Sequence, residues 1–400
     1  MIPELRQRFN RDFRPERYAR FLAGLDRAAG TRVAFRNSET PVFFPEELLV
    51  RMAAAGRELV EQLLAGPAYV PASDRIIPDR FRVPREAPYP LFVQADFGIV
   101  RDESGVCRPR LVEIQGFPSL YAFQPVLARQ YREAYELDPA LHANLGRLSE
   151  SAYNELLGRA ILAGHAPENV VLLEIDPRNQ KTLCDFLVTE RLLGVRAVCI
   201  TQVVKQGSRL YYRRGGRLVP IERIYNRAIA DEIVRREIEL PFDFRDDLQV
   251  EWAGHPNWFF RLSKYSLPFF RHETVPRAWF LDETGELPLS PENLVLKPLF
   301  SFAGLGVVVG PSAAQLAAIP PDRRRDYILQ ERVDFTPVIE TPHGPTKAEV
   351  RIMYLWLDGE RTEGLLPVNT IIRTGRGKMM GVDHNKDMVW VGASAGFYPG

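Results

Sequence analysis

The stretch "NVVLLEIDPRNQKTLCDFLVTERLLGVRAVCITQV", residues 169–203, constrains the fold more than any other. Its opening "NVVLLEID" is an almost continuous apolar run, the pattern of a strand covered on both faces. The segment "NQKTLCDFLVTERLLG" reads as a helix stopped by Gly194, and "VRAVCITQV" as a second strand. Strand, helix and strand in that order make a β-α-β unit, which needs a parallel pair and a right-handed crossover. The expected fold class is therefore α/β, in an α+β mixture, with a small Rossmann-like lobe over residues 166–250. The segment "GSRLYYRRGGRLVPIERIYNR" would add strands to it. The lobe lacks G-x-G-x-x-G, so a dinucleotide site is not expected.

A chain of 400 residues can bury more than one core. Residues 1–88 read as a mainly helical N-terminal region, with "PEELLVRMAAAGRELVEQLLAG" its clearest amphipathic stretch. With 52 Lys+Arg against 51 Asp+Glu, the net charge of +1 gives no reason to expect nucleic acid or a membrane surface as partner. The N-terminus is charged and lacks an apolar core of the secretory kind, so a cytoplasmic protein is expected. Cys107, Cys184 and Cys199 form no C-x-x-C pair, and the six histidines occur singly. Neither a disulfide framework nor a zinc site is indicated.

The chemistry-bearing residues begin with "PLFVQADFGIVRDESGVCRPRLVEIQGFPSL". At a two-residue period Gln94 and Asp96 share one face of a strand, and Val93, Ala95, Phe97 and Ile99 the other. After the turn "RDESG", Leu111, Glu113 and Gln115 would share a face, opposite Val112 and Ile114. Folded as an antiparallel hairpin, the two runs bring Gln94, Asp96, Glu113 and Gln115 together. That is either a hard oxygen-rich site suited to Mg²⁺ or a solvated outer face. Ser119 is open to two readings, a substrate contact or the N-cap of the helix that follows.

Further on, "NLVLKPLFSFAGLGVVVGPS" is a strand ending at Lys297, a loop with Gly304 and Gly306, and a second strand. Glycines there let backbone N–H groups close over an anion, and a lysine adds a point charge, although glycine is also the ordinary turn residue. G-x-x-x-x-G-K-[ST] is absent, so this is not a P-loop. Lys264 precedes the loop in "RLSKYS", and "YILQERVDF" follows it as a strand carrying Gln330 and Glu331. Two more strands flank "DGE" in "KAEVRIMYLWLDGERTEGLLPVNTIIR". Glu349 and Arg351 share a face of the first, where Arg351 either pairs with an acid or serves catalysis. Arg373 opens the basic run "RTGRGK", a solvated loop or a phosphate clamp.

Taken in this order, these residues resemble the ATP-grasp superfamily. The resemblance implies that Lys264, Lys297, Gly304 and Gly306 meet the phosphates of ATP. It implies too that Gln330, Glu331 and Val333 form a hinge against adenine and ribose, and that Arg351 and Arg373 stabilise the transferred phosphoryl group. "Q-A-D … E-I-Q-G-F-P-S" lies ahead of the lysines and is similar to "R-x-D … E-x-N-x-D-x-P" of the circularly permuted, glutathionylspermidine synthase-like type, with Gln94, Gln115 and Phe117 as departures. By that resemblance Asp96, Glu113 and Gln115 hold one or two Mg²⁺, or Mn²⁺, and Gln94 and Ser119 meet substrate. The chain would divide into the N-terminal region, a metal-binding hairpin and helices over 89–165, the Rossmann-like lobe as a preATP-grasp lobe, and ATP-binding lobes over 251–400. The implied activity is ADP-forming ligation of a small-molecule or peptide carboxylate to an amine, or to a thiol, through an acyl phosphate. The alternatives are a non-catalytic nucleotide-binding protein on the same fold and an ATP-dependent phosphotransferase.

Overall fold

The computed structural model of the chain describes residues 1–301, 304–357, 364–385 and 387–400, and the side chains of residues 383 and 384 are not described. The "DGE" turn lies outside the described residues.

Val170–Glu174 pairs in parallel with Arg196–Cys199, and helix Leu183–Leu193 joins them, ended by Gly194 at φ 73°. The helix starts at Leu183, so of the stretch read as helical Asn179 ends the short 3-10 turn Pro177–Asn179 and residues 180–182 are a loop. On its other edge Val170–Glu174 pairs in parallel with Arg223–Asn226, which pairs with Glu251–Ala253. The first strand in sequence is thus an inner one, and the chain leaves it first to one side and then to the other. Arg209–Arg214 and Arg217–Ile221 do not extend this sheet; with Val204–Gln206 they form a separate antiparallel one.

The second sheet has five antiparallel strands, in the order Gly392–Ser394, Leu366–Gly375, Lys347–Leu355, Phe92–Arg101 and Cys107–Gln115. The early hairpin and the last strands share it because both have one wholly apolar face. Val93, Ala95, Phe97 and Ile99 are buried with Val350, Ile352 and Tyr354 beneath helix Glu46–Ala65. Gly56 lets that helix approach, since a Cβ there would lie 2.1 Å from the Tyr354 hydroxyl oxygen. The N-terminal region is tied to the other end of the chain as well, with Val42–Phe43 pairing in parallel with Gly396 and Phe397.

The hairpin register corrects one expectation. Gln94 faces Gln115 and Asp96 faces Glu113, but Phe97 then faces Leu111, which leaves Val112 as a bulge. Leu111 is therefore in the core with Phe97 and Ile114, and Val112 turns to the polar side. An inserted residue reverses the alternation beyond it, and apolar Leu111 and Val112 give no signal of which faces in.

The third sheet is antiparallel, in the order Ala278–Phe280, Tyr327–Glu331, Leu294–Pro298 and Val308–Val309. Among the described residues, no helix is long and apolar enough to cross a membrane.

Candidate active site

The three sheets enclose a cleft of about 920 Å³. The second, five-stranded sheet, central to the cleft, contributes Asp96, Glu113, Gln115, Arg351 and Arg373; the third sheet and its approaches contribute Lys264, Lys297, Gly304, Gln330, Glu331 and Val333. Ser119 lines it too. Gln94 and Gly306 do not. Gly306 holds the turn instead, at φ 73° and so close to Pro298 that a Cβ would lie 2.9 Å from its Cγ.

Asp96 is 1% exposed and sits between Glu113 and Arg351 across the sheet. The Arg351 guanidinium donates through Nε to Asp96 Oδ1 at 2.5 Å and through Nη2 to Oδ2 at 2.6 Å, a bidentate pair. Arg373 Nη2 donates to the same Oδ2 and contacts Glu349. Burial raises the Asp96 carboxyl, but the charges of Arg351 and Arg373 outweigh it and hold it below its ordinary value. Burial raises Glu349, against the pull of Arg373. Arg373 is in strand Leu366–Gly375, not in a loop.

Gln94, expected to meet substrate, does not reach the cleft. Wholly buried, it accepts from Arg351 Nη1 at 3.0 Å and donates to the Ser119 carbonyl at 2.9 Å. Ser119 is not the helix cap either. Helix Phe123–Tyr135 has Ala122 at its N-cap position, and the Asp185 carboxylate accepts from both the Ala122 and Phe123 N–H groups at 3.0 Å. An acid 62 residues downstream takes over the capping.

Across the cleft, Lys264 Nζ donates to the Ser301 carbonyl at 2.8 Å and lies 3.9 Å from Glu113. Lys297 Nζ donates to the carbonyl of the bulged Val112 at 3.0 Å and to Gln330 Oε1 at 2.5 Å, so the bulge joins the hairpin to the third sheet. Gln330 Nε2 is buried without a partner among the described residues. Glu331 accepts from the Arg277 backbone N–H at 3.3 Å.

Burial pulls the Lys297 ammonium down to about 8, with Glu113 opposing and Lys264 adding to the fall. Between that value and its unperturbed 10.5 the unfolded chain holds the extra proton, so this residue makes stability rise with pH across that window. The bound charge has the opposite effect on a polyphosphate. Calorimetric ATP affinity is expected to fall as pH rises above about 8, and Lys297→Met to flatten the slope. Equal slopes in both proteins would mean that Lys297 does not meet phosphate.

At the far end of the cleft lies a group that sequence reasoning missed. The crevice between the ends of Val170–Glu174 and Arg223–Asn226 is where the strand order reverses, the usual ligand position in such sheets. Arg227, just past one strand, is 4% exposed and lines the cleft, and its Nε and Nη1 have no partner among the described residues. Its guanidinium lies 5.2 Å from the Phe117 ring centroid. Glu174, at the end of the other strand, is pushed by burial up to about 8, against the pull of Arg227. The signal available in the sequence was their position at the C-terminal ends of apolar strands.

The phosphates of a nucleotide suit this cleft: Lys264, Lys297, Arg351, Arg373 and the Gln330 Nε2 donor, which has no partner among the described residues, line the same space. A divalent cation suits it less well. Asp96 does not fit as a ligand, because both its oxygens already accept from guanidiniums. Of the three residues expected as ligands, Glu113 and Gln115 remain, with Gln115 Nε2 3.5 Å from Glu113 Oε1. Among the described residues, no three His, Cys, Asp or Glu side chains are grouped to hold a metal ion.

The architecture is that of a mixed α/β protein with a cleft walled by separate sheets. A glutathione synthetase-like effector from Globodera pallida, solved in its apo form, has the same fold: its TM-score is 0.57 over 96% of this chain and 96% of its own, at 11% sequence identity. No protein-family model and no curated protein matches the sequence.

Proposed function

We propose that the chain is an ATP-dependent ligase of the ATP-grasp type, in the permuted order, joining a carboxylate to an amine. The observation that carries this reading is the single cleft in which Lys264, Lys297 and strand Tyr327–Glu331 face the Asp96, Arg351 and Arg373 cluster. The pairing of Phe92–Arg101 with Lys347–Leu355 supports the permuted order, since an early hairpin completes a sheet built from the end of the chain. The fold shared with a glutathione synthetase-like protein agrees with it.

In this reading ATP lies with adenine against residues 330–333, ribose on Glu331, and phosphates between the lysines and arginines. Arg227 holds the carboxylate substrate or a second carboxylate on it. A substrate carboxylate oxygen attacks the γ-phosphorus, the bond to the β-phosphate oxygen breaks, and ADP leaves. The amine then attacks the acyl carbon, loses a proton and releases phosphate. Charge builds on oxygen in both steps, so fixed cations and positioning supply the catalysis. A divalent ion bound with ATP would add positive charge at the β- and γ-phosphates, held by Glu113 and Gln115.

Incubation with ATP, Mg²⁺ and pooled carboxylates and amines tests the reading through its products. ADP with free phosphate and a new amide supports it. Phosphate retained on an acceptor means a phosphotransferase. Nucleotide binding without turnover means a binding protein, a reading favoured by the pairing of both Asp96 oxygens with guanidiniums. Once the substrate is found, Arg227→Gln is expected to raise its KM about 10- to 100-fold, the loss of a charge-assisted contact, with ATP affinity unchanged. An unchanged KM removes Arg227 from the substrate site.

A further inference from the structure

The central sheet fixes the surroundings of Asp96 from both sides. On one flank stands Glu113, on the other Arg351, and all three face the cleft. A carboxylate offers about four lone-pair positions. Asp96 directs them at three N–H donors from two guanidiniums, and each guanidinium is itself fixed. Arg351 is held by Gln94, whose amide is anchored on the Ser119 carbonyl. Arg373 is held by Glu349. For Asp96 to ligate a divalent cation, the ion would have to take the one position left over or displace a donor, and in either case stand beside two positive charges. Among the described residues the half-buried Glu113 has no such fixed bidentate partner: it lies 3.6 Å from Arg351 Nη2 and 3.9 Å from Lys264 Nζ.

We propose that Asp96 is a positioning residue for Arg351 and Arg373 and not a metal ligand, so that the two guanidiniums supply positive charge where a second ion would stand and a divalent cation enters at Glu113 and Gln115 alone. The proposal rests on the nucleotide-binding reading only for what the cleft holds; the pairing of Asp96 is a property of the chain itself.

The test is Mn²⁺ binding followed by electron paramagnetic resonance, first with the metal alone and then with a non-hydrolysable ATP analogue, alongside a thermal melt of each variant. Glu113→Gln is expected to weaken Mn²⁺ at least tenfold, whereas Asp96→Asn leaves it within about threefold of the parent chain. Arg351→Gln unmasks the Asp96 carboxylate and should strengthen Mn²⁺ binding several-fold or add a second ion, a gain that the double variant with Asp96→Asn loses. A purely structural Asp96 would move the melt without producing that gain. The proposal is overturned if Asp96→Asn loses Mn²⁺ as severely as Glu113→Gln, if Arg351→Gln gains nothing, or if the parent chain binds two ions per analogue. An analogue without effect on any titration would sink the nucleotide reading instead, and the metal-alone comparison would still decide the role of Asp96.

Discussion

Arg351→Ala is expected to lower turnover roughly 10²- to 10³-fold, the scale seen when one electrostatic donor to a transition state is removed. It is also expected to destabilise the fold by about 3 kcal/mol, the lower end of the range for breaking a buried ion pair. The two effects share a cause. Arg351 makes three hydrogen bonds in the interior, two to Asp96 and one to Gln94. Without it, Asp96 keeps only Arg373 as an ion-pair partner among the described residues, and Gln94 Oε1 loses the donor the structure gives it. Urea unfolding and steady-state ADP release measure the two effects separately. Lost stability with full turnover would make Arg351 a structural residue. Arg351→Lys restores the charge but not the fork, so it should recover stability only in part.

Lys297→Met separates binding from folding in the other direction. Loss of a charged contact to phosphate is expected to weaken ATP roughly 10- to 100-fold, or about 1.5–3 kcal/mol. Stability at neutral pH should not fall with it. An ammonium 7% exposed, with its pKa pulled down by burial, is an unfavourable group to bury, and Met fills a similar volume without the charge. Val112 and Gln330 lose a donor, but both line the cleft, where water can replace it. Calorimetric titration with ATP and a denaturation curve check the pair of outcomes. Full affinity in the variant would take Lys297 out of the nucleotide site.

Local pattern determined much of this protein. The β-α-β unit follows from one apolar run, one helix stopped by Gly194 and a second run, all within 35 consecutive residues. The alternation in residues 92–101 and 113–115 gives the polar and apolar faces of the hairpin. The order of Lys264, the glycine loop and Tyr327–Glu331 places side chains that the cleft brings together. These are short-range properties, written in periodicity and turn chemistry.

Tertiary structure alone decided what those residues touch. Asp96 meets Arg351, 255 positions away, because the register between two distant strands sets them side by side; one residue of slip would turn either to the opposite face. Asp185 caps a helix that Ser119 is better placed to cap in sequence, because packing brings its carboxylate to the helix start. The Val112 bulge sends Leu111 inward, and its carbonyl then receives Lys297 from another sheet. Arg227 gains meaning only from the reversal of strand order beside it. The chain's local pattern specifies which elements form and which face is polar. Partners across a sheet or a cleft depend on register and packing over the whole molecule, and no short window of sequence carries that information.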